Sequence, residues 1–312
     1  MAMVVIGAIF VDIKGYPDVA YLPGGRNVGR VEQVHGGVCR NAVEDIANVE
    51  LRPMFVSLVD DSGMGTDVLE KLNNHKVDTR FIRRVPNGMG TWLAIFDNCG
   101  DVCAAISKRP DLSPICDILD EDGDAIFSQA DSVLVEIDAD KEMVKRVFSL
   151  AERYKKRVYG VVSNMRIAVT RRDFLQRLDG FVCNLQEAEI LFSEAYEGKT
   201  PEEMRELLPE KIRRANISRM VVTMGAQGAV YADTLSGEFG ICPSRKVDVQ
   251  DTTGAGDAFF AGLSIGLTYG KTMREACEIG TTLATSVITT AENVCPRFRP
   301  EEFDLRLPQE ED

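Results

Sequence analysis

From about residue 120 onward the chain switches repeatedly between short apolar runs and amphipathic stretches. The runs at 132–137, 157–163, 180–184 and 220–224 read as strands, and 141–154, 186–195 and 201–214 read as helices. This alternation restricts topology severely, because a crossover between parallel strands must lay its helix on a face of the sheet. The run 4–12 is continuously apolar and ends in an acid, Asp12, and 53–59 is a second such run; both read as buried parallel strands. Segments 229–232 and 238–241 suit an antiparallel edge, and 255–269 and 272–290 read as closing helices. The expected fold is α/β: a three-layer, doubly wound, mostly parallel sheet.

Not everything belongs to that sheet. Residues 15–34 are rich in Gly and Pro, with a short polar extended piece at 30–34. Further on, 81–85 is extended, 86–88 is a turn, and 90–97 and 102–107 flank a hairpin turn at 98–101. Together these pieces predict a small separate sheet over the strand ends. That makes it a lid, formed by roughly 13–34 and 88–108 and inserted into one domain spanning 1–312. Between the lid segments, Gly36 and Gly37 precede a helix running to about Val49, with Asn41 in its first turns. The loop 60–65 leads to a helix over 66–74.

Composition narrows the partners. A net charge of −13 over 312 residues disfavours nucleic acid and anionic membrane surfaces. The eight cysteines are scattered without a CxxC pair and only two histidines exist, which argues against zinc. Most of the cysteines read as reduced core residues of a cytoplasmic protein, with Cys99 and Cys103 on the lid hairpin. No basic leader precedes the first strand, and no apolar run approaches ~20 residues. The acidic tail at 308–312 reads as disordered.

Chemistry concentrates at Asp251-Thr252-Thr253-Gly254-Ala255-Gly256-Asp257, just before an apolar helix. Small residues allow close backbone approach, and the unpaired N–H groups of a helix start attract anions. An acid there repels the anion, so Asp257 reads as a base or a metal partner; the plain alternative is an ordinary loop-to-helix turn. Asp12 sits where α/β sheets bind ligands and is a substrate contact or a cap. Asn184 and Glu187 suit either a hydrated Mg²⁺ or a capping box. Thr223, Gly225 and Gly228 suit backbone contact with a nucleotide, or a plain turn. Two motifs are decoys. The GxSxG match at 262–266 lies inside a helical run, and 266–272 lacks one residue of a P-loop.

The ordered set Asp12, Gly36-Gly37 with Asn41, Asn184 with Glu187, Thr223 with Gly225 and Gly228, and Asp251 to Asp257 resembles the ribokinase-like (PfkB) family of carbohydrate and nucleoside kinases. The resemblance covers the whole chain and implies the ribokinase-like fold with its lid. It implies Asp257 as catalytic base, Gly254, Ala255 and Gly256 as the anion hole, and Asp12, Gly36, Gly37 and Asn41 on the substrate. It puts Asn184, Thr223, Gly225 and Gly228, with Gly254 and Gly256, at ATP. Glu187 then holds Mg²⁺ through water, and Asp251 serves a monovalent cation, with K⁺ the candidate. Within the family, Tyr16, 37–41, 93–100 and 162–166 are most similar to the pseudouridine kinases, which adds Thr91 and Arg166 as substrate contacts. The implied reaction is ATP-dependent phosphorylation of a primary hydroxyl, with pseudouridine 5′-OH preferred and another nucleoside, ribose or a fructose-type sugar as alternatives. A catalytically silent sensor on the same fold would show loss of the acid at 257, which is present. Exposed lid edges further suggest a homodimer joined through the lids.

Overall fold

The computed structural model describes residues 2–98 and 102–305. The chain opens with β1 (Ala2–Ile6), crosses to β2 (Phe10–Pro17) and β3 (Gly29–Gly36), and returns through α1 (Val38–Asn48), β4 (Met54–Val59), α2 (Gly63–Asn74) and β5 (Ile82–Arg84). A hairpin of β6 (Gly90–Phe96) and β7 (Val102–Lys108) follows, then α3 (Pro114–Gln129), β8 (Ala130–Glu136), α4 (Lys141–Tyr154) and β9 (Arg157–Val161). Two short helices, α5 (Met165–Ala168) and α6 (Arg172–Leu175), lead to β10 (Gly180–Asn184), α7 (Leu185–Phe192), α8 (Pro201–Ala215) and β11 (Arg219–Thr223). The last elements are β12 (Ala229–Asp233), β13 (Phe239–Cys242), α9 (Ala255–Thr268) and α10 (Met273–Ile288).

Nine strands form the large sheet in the order β13-β12-β11-β10-β9-β8-β1-β4-β5. Its strands pair in parallel from β11 to β5, and β12 and β13 close one edge antiparallel. Strand alternation splits the core into two layers: Val4 and Ile6 face one, Met3 and Val5 the other. Side chains of α3, α4, α7 and α8 fill the first layer, and those of α1, α2, α9 and α10 the second. α4 shows the local logic. Asp140 caps it by accepting the Met143 N–H, Val144, Val147, Phe148 and Ala151 make its buried stripe, and Lys155 ends it at φ 54°. The glycines of the GxSxG decoy serve packing, since a Cβ on Gly262 or Gly266 would press 2.7 Å from α10.

The second sheet has the order β3-β2-β6-β7, mixed in direction, with the β2–β6 pair parallel. It is the small lid sheet expected from the sequence. Asp12, Lys14 and Tyr16 share one face of β2 with Trp92 and Phe96 of β6, by register. The opposite face exposes Val31 (69%), Leu93 (41%) and Ile106 (72%).

Several elements differ from expectation. The run 4–12 is two strands in two sheets. The Gly7 N–H still reaches the Val56 carbonyl at 3.3 Å, but the Ala8 N–H turns to Glu136 Oε2 at 3.1 Å and Ile9 accepts from the Gly90 N–H at 2.9 Å. Asp12 therefore lies on the lid, not at the end of a core strand; uniform apolarity cannot show a change of sheet. α2 starts at Gly63, because the Ser62 hydroxyl accepts from the Gly65 N–H at 3.1 Å and outweighs two poor helix formers. α3, preceding the first strand of the alternating half, carried no clear sequence signal. Six cysteines are buried free thiols: Cys39, Cys116, Cys183, Cys242, Cys277 and Cys295. Cys99, most of the hairpin turn and the tail at 308–312 lie outside the described residues. Among the described residues no helix is long and apolar enough to cross a membrane.

Candidate functional site

The turn before α9 is built from within. Asp251 Oδ1 accepts the Thr253 N–H at 2.8 Å, and Gly254 caps the helix at φ 83°. Only glycine fits there, since a Cβ would collide with the Asn293 carbonyl. Gly256, by contrast, borders open space. The Ala255 N–H makes a long bond to the Thr252 carbonyl at 3.3 Å, and the other first-turn amides of α9 lack acceptors one turn earlier within the helix.

Asp257 stands in that first turn and accepts from Asn41 Nδ2 at 2.7 Å. Burial raises its pKa to about 7; the Asn41 bond and the Arg40 charge pull down, while Asp12 and Glu187 push further up. Asp12 is raised to about 6, again mainly by burial, against the pull of Lys14 and Arg40. Gly36 is required beside it, because a Cβ would overlap the Asp12 carboxyl. Gly37, at φ 100°, starts α1 where a Cβ would sit 2.9 Å from the Ala8 carbonyl. Thus Asp12, Gly36, Gly37, Asn41, Asp257 and the 254–256 amides converge on one place.

Two expected contacts do not join them. Thr91 pairs with Val11, one position off the Asp12–Trp92 pair, so alternation turns its side chain to the other face of the lid. Arg166 is exposed on α5. The guanidinium groups that engage the end of β8 are instead Arg109, paired with Asp138, and Arg171, which donates to the Ile137 and Ala139 carbonyls at 3.1 and 2.6 Å. Sequence reasoning also missed Arg40, Asn293 and the buried acids Glu136 and Asp138. Glu136 and Asp138 carried a signal, as acids at the end of an apolar strand; Asn293 carried none.

A second groove of about 480 Å³ lies at the ends of β10 and β11, lined by Asn184, Thr223, Gly225, Lys199 and Gln227. Asn184 and Glu187 do form a capping box, each accepting the other's backbone N–H at 2.8 Å. The box uses Glu187 Oε2 and leaves Oε1 uncommitted, so a water-bound divalent ion fits there. Gly228, at φ 95°, is demanded by the close Cys242 carbonyl.

Asp251 is held below its ordinary pKa: burial pushes up, but the Thr253 N–H and Lys14 prevail. The Lys14 ammonium lies 3.6 Å from its Oδ2. A bare monovalent cation on the same carboxylate would meet that ammonium with a repulsion of about 4 kcal/mol at ~4 Å and an effective dielectric near ~20. The Asp251 carboxylate is thus already paired with an ammonium, and K⁺ at Asp251 would have to share that negative charge with Lys14.

Between this turn and the lid lies a cavity of about 860 Å³, lined by Lys14, Tyr16, Arg40, Phe96, Asp251 and Asn293 among others. Tyr16 and Phe96 stack at 5.0 Å, Trp92 meets Phe96 edge-on, and the Arg30 guanidinium lies 4.5 Å over Tyr16.

The sequence pattern of the pfkB family carbohydrate kinases matches residues 2–294. The chain belongs to the PfkB family. It is 32% identical over 290 residues to a guanosine-inosine kinase of Exiguobacterium acetylicum, covering 93% of this chain and 95% of that one. A pseudouridine kinase of Escherichia coli is 26% identical over 280 residues, covering 88% and 87%. In fold it is similar to Arabidopsis thaliana ribokinase complexed with ribose and ATP, at a TM-score of 0.79 and 19% identity over 95% and 97% of the two chains. This PfkB-family protein is therefore a kinase of the sugar and nucleoside class, a phosphotransferase acting on a hydroxyl group.

Proposed function

We propose that this kinase transfers the γ-phosphoryl group of ATP to the 5′-hydroxyl of a ribonucleoside, with a purine nucleoside ahead of pseudouridine. The carrying observation is the cavity of about 860 Å³ beside Asp251 and Thr252, whose mostly polar lining includes the stacked rings of Tyr16 and Phe96. It exceeds what a free pentose needs and provides stacked rings for a base. The relative named for guanosine and inosine, at 32% identity, favours a purine over the pseudouridine suggested by local segments.

In this reading Asp12, Gly36, Gly37 and Asn41 hold the ribose hydroxyls; Thr91 and Arg166 are left out of the set. ATP occupies the groove of Asn184, Thr223 and Gly225, with Gly228 shaping its floor. A Mg²⁺ brought with ATP would be held through water by Asn184 and Glu187 and would screen the phosphate charge. The amides of Gly254, Ala255 and Gly256 donate to the transferring phosphoryl oxygens. As the acceptor oxygen bonds to phosphorus and the bond to the ADP oxygen breaks, Asp257 takes the hydroxyl proton. The transition state is loose and the proton leaves late, so a weak base suffices. The chain acts as one catalytic unit with its lid, and the apolar outer lid face packs on a second copy.

The test is a panel of guanosine, inosine, pseudouridine, ribose and fructose with ATP, read by ADP release. Turnover on guanosine or inosine with kcat/KM above that on ribose is expected. Turnover on a free sugar with none on any nucleoside overturns the substrate reading.

A further inference from the structure

Arg40 is the largest fully buried side chain of the described residues, at 1% exposure, and the α9 turn does not account for it. Its Nη2 meets Glu44 Oε2 at 3.0 Å, one turn along α1, and Glu44 in turn meets Lys71 at 3.2 Å. Its Nη1 donates to Asn41 Oδ1 at 2.6 Å and to Asn293 Oδ1 at 3.2 Å. Asn293 then donates from Nδ2 to the His35 carbonyl of β3 at 2.8 Å, and its own carbonyl backs Gly254.

A side-chain amide has two nearly isosteric ends, and its neighbours decide which end faces where. A guanidinium carries donors only, so it faces the oxygen. Asn41 must therefore turn its NH₂ group to Asp257, where Nδ2 lies 2.7 Å from Oδ2. That bond favours the ionised carboxylate and leaves Oδ1 for the acceptor hydroxyl. The second N–H of the same amide remains for a ribose oxygen, so Asn41 faces the substrate with a donor. With the amide reversed, its oxygen would face the carboxylate, an arrangement tolerable only when Asp257 is protonated and idle.

The charges around Asp257 sharpen the point. Asp12 from β2 and Glu187 from α7 are the carboxyl groups that push Asp257 toward its protonated form. Arg40 is the cation that acts on Asp257 from among them.

We propose that Arg40 is a positioning residue for phosphoryl transfer: it locks the Asn41 amide toward Asp257 and, through Asn293, ties that lock to lid strand β3 and to the anion turn at Gly254. This rests on Asp257 being the base. The test compares the wild-type chain with Arg40→Lys and with the double variant R40M/E44M. A lysine keeps the charge but cannot span Asn41 and Asn293 together. The double variant removes both buried charges at once, an exchange that buried ion pairs commonly tolerate, and so covers the case in which Arg40→Lys does not fold. In folded variants kcat falls by about tenfold or more while KM for ATP changes by less than about twofold. The acidic limb of the kcat/KM profile moves up by about half a pH unit or more, further in the double variant. A purely structural role would lower Tm and leave the limb in place. Unchanged kcat and an unmoved limb in a folded variant overturn the proposal. Failure of the base assignment would show separately, as retained turnover in Asp257→Asn.

Discussion

At the scale of single residues, the Asp257 carboxyl is pulled both ways: burial and the acids around it favour the proton, and Asn41 and Arg40 favour the charge. With the folded value near 7 and an ordinary value of 3.8, the native state holds a proton that the unfolded state has released over that whole range. Stability from this group is therefore present at low pH and declines as pH rises through about 7. Asp257→Asn removes that loss while keeping an acceptor for Asn41. It is expected to raise Tm at pH 8 by about 2–4 °C, by less at about pH 5 and not at all near about pH 3. The same variant should bind ATP nearly as wild type yet lose about 10²–10⁴-fold in turnover; calorimetric titration and steady-state kinetics measure the two. In the wild type, kcat/KM should fall tenfold per pH unit below a limb near 7. At Asp251, the Lys14 ammonium leaves no need for another monovalent cation, so exchanging K⁺ for choline at constant ionic strength should leave kcat unchanged.

At the scale of elements, the turn into α9 separates backbone from ligand demands. Gly254 needs its positive φ and the space beside Asn293, so Gly254→Ala should lower Tm and activity together. Gly256 has neither constraint, and its missing Cβ faces open space. Gly256→Ala should keep the thermal stability within about 2 °C and still lower kcat, because the methyl group enters the volume the phosphoryl oxygens require. Equal loss of Tm in both variants would argue that this turn serves packing alone. The capping box of Asn184 and Glu187 shows the same economy in another place, where one carboxylate starts α7 with a single oxygen.

At the scale of the whole molecule, the two faces of the lid sheet differ in chemistry. Its inner face carries Asp12, Lys14, Tyr16 and Phe96 toward the site, while Val31, Leu93 and Ile106 are left to solvent. An apolar face of this kind on a sheet with two edges is what the proposed lid-to-lid dimer would cover. Light scattering at micromolar concentration should give the mass of a dimer, and Ile106→Glu should give a monomer. A monomeric wild type rejects the lid-to-lid contact.

The sequence by itself determined the parallel sheet, because alternating periods of two and 3.6 residues admit few topologies. It also marked the small-residue turn before α9 with its acid, while leaving an ordinary loop-to-helix turn open until the companion motifs upstream were added. Periodicity could not tell that 4–12 changes sheets at Gly7, since both sheets bury its apolar residues. Thr91 was placed by its neighbours in sequence, whereas strand alternation decides its face. Asn293 lies 253 residues from Arg40, and no local pattern marks it. The direction of the Asn41 amide, the value of the Asp257 pKa and the Lys14–Asp251 pair exist only once the lid, α1 and α9 meet. Each depends on burial and distance between remote segments, which a one-dimensional pattern does not carry.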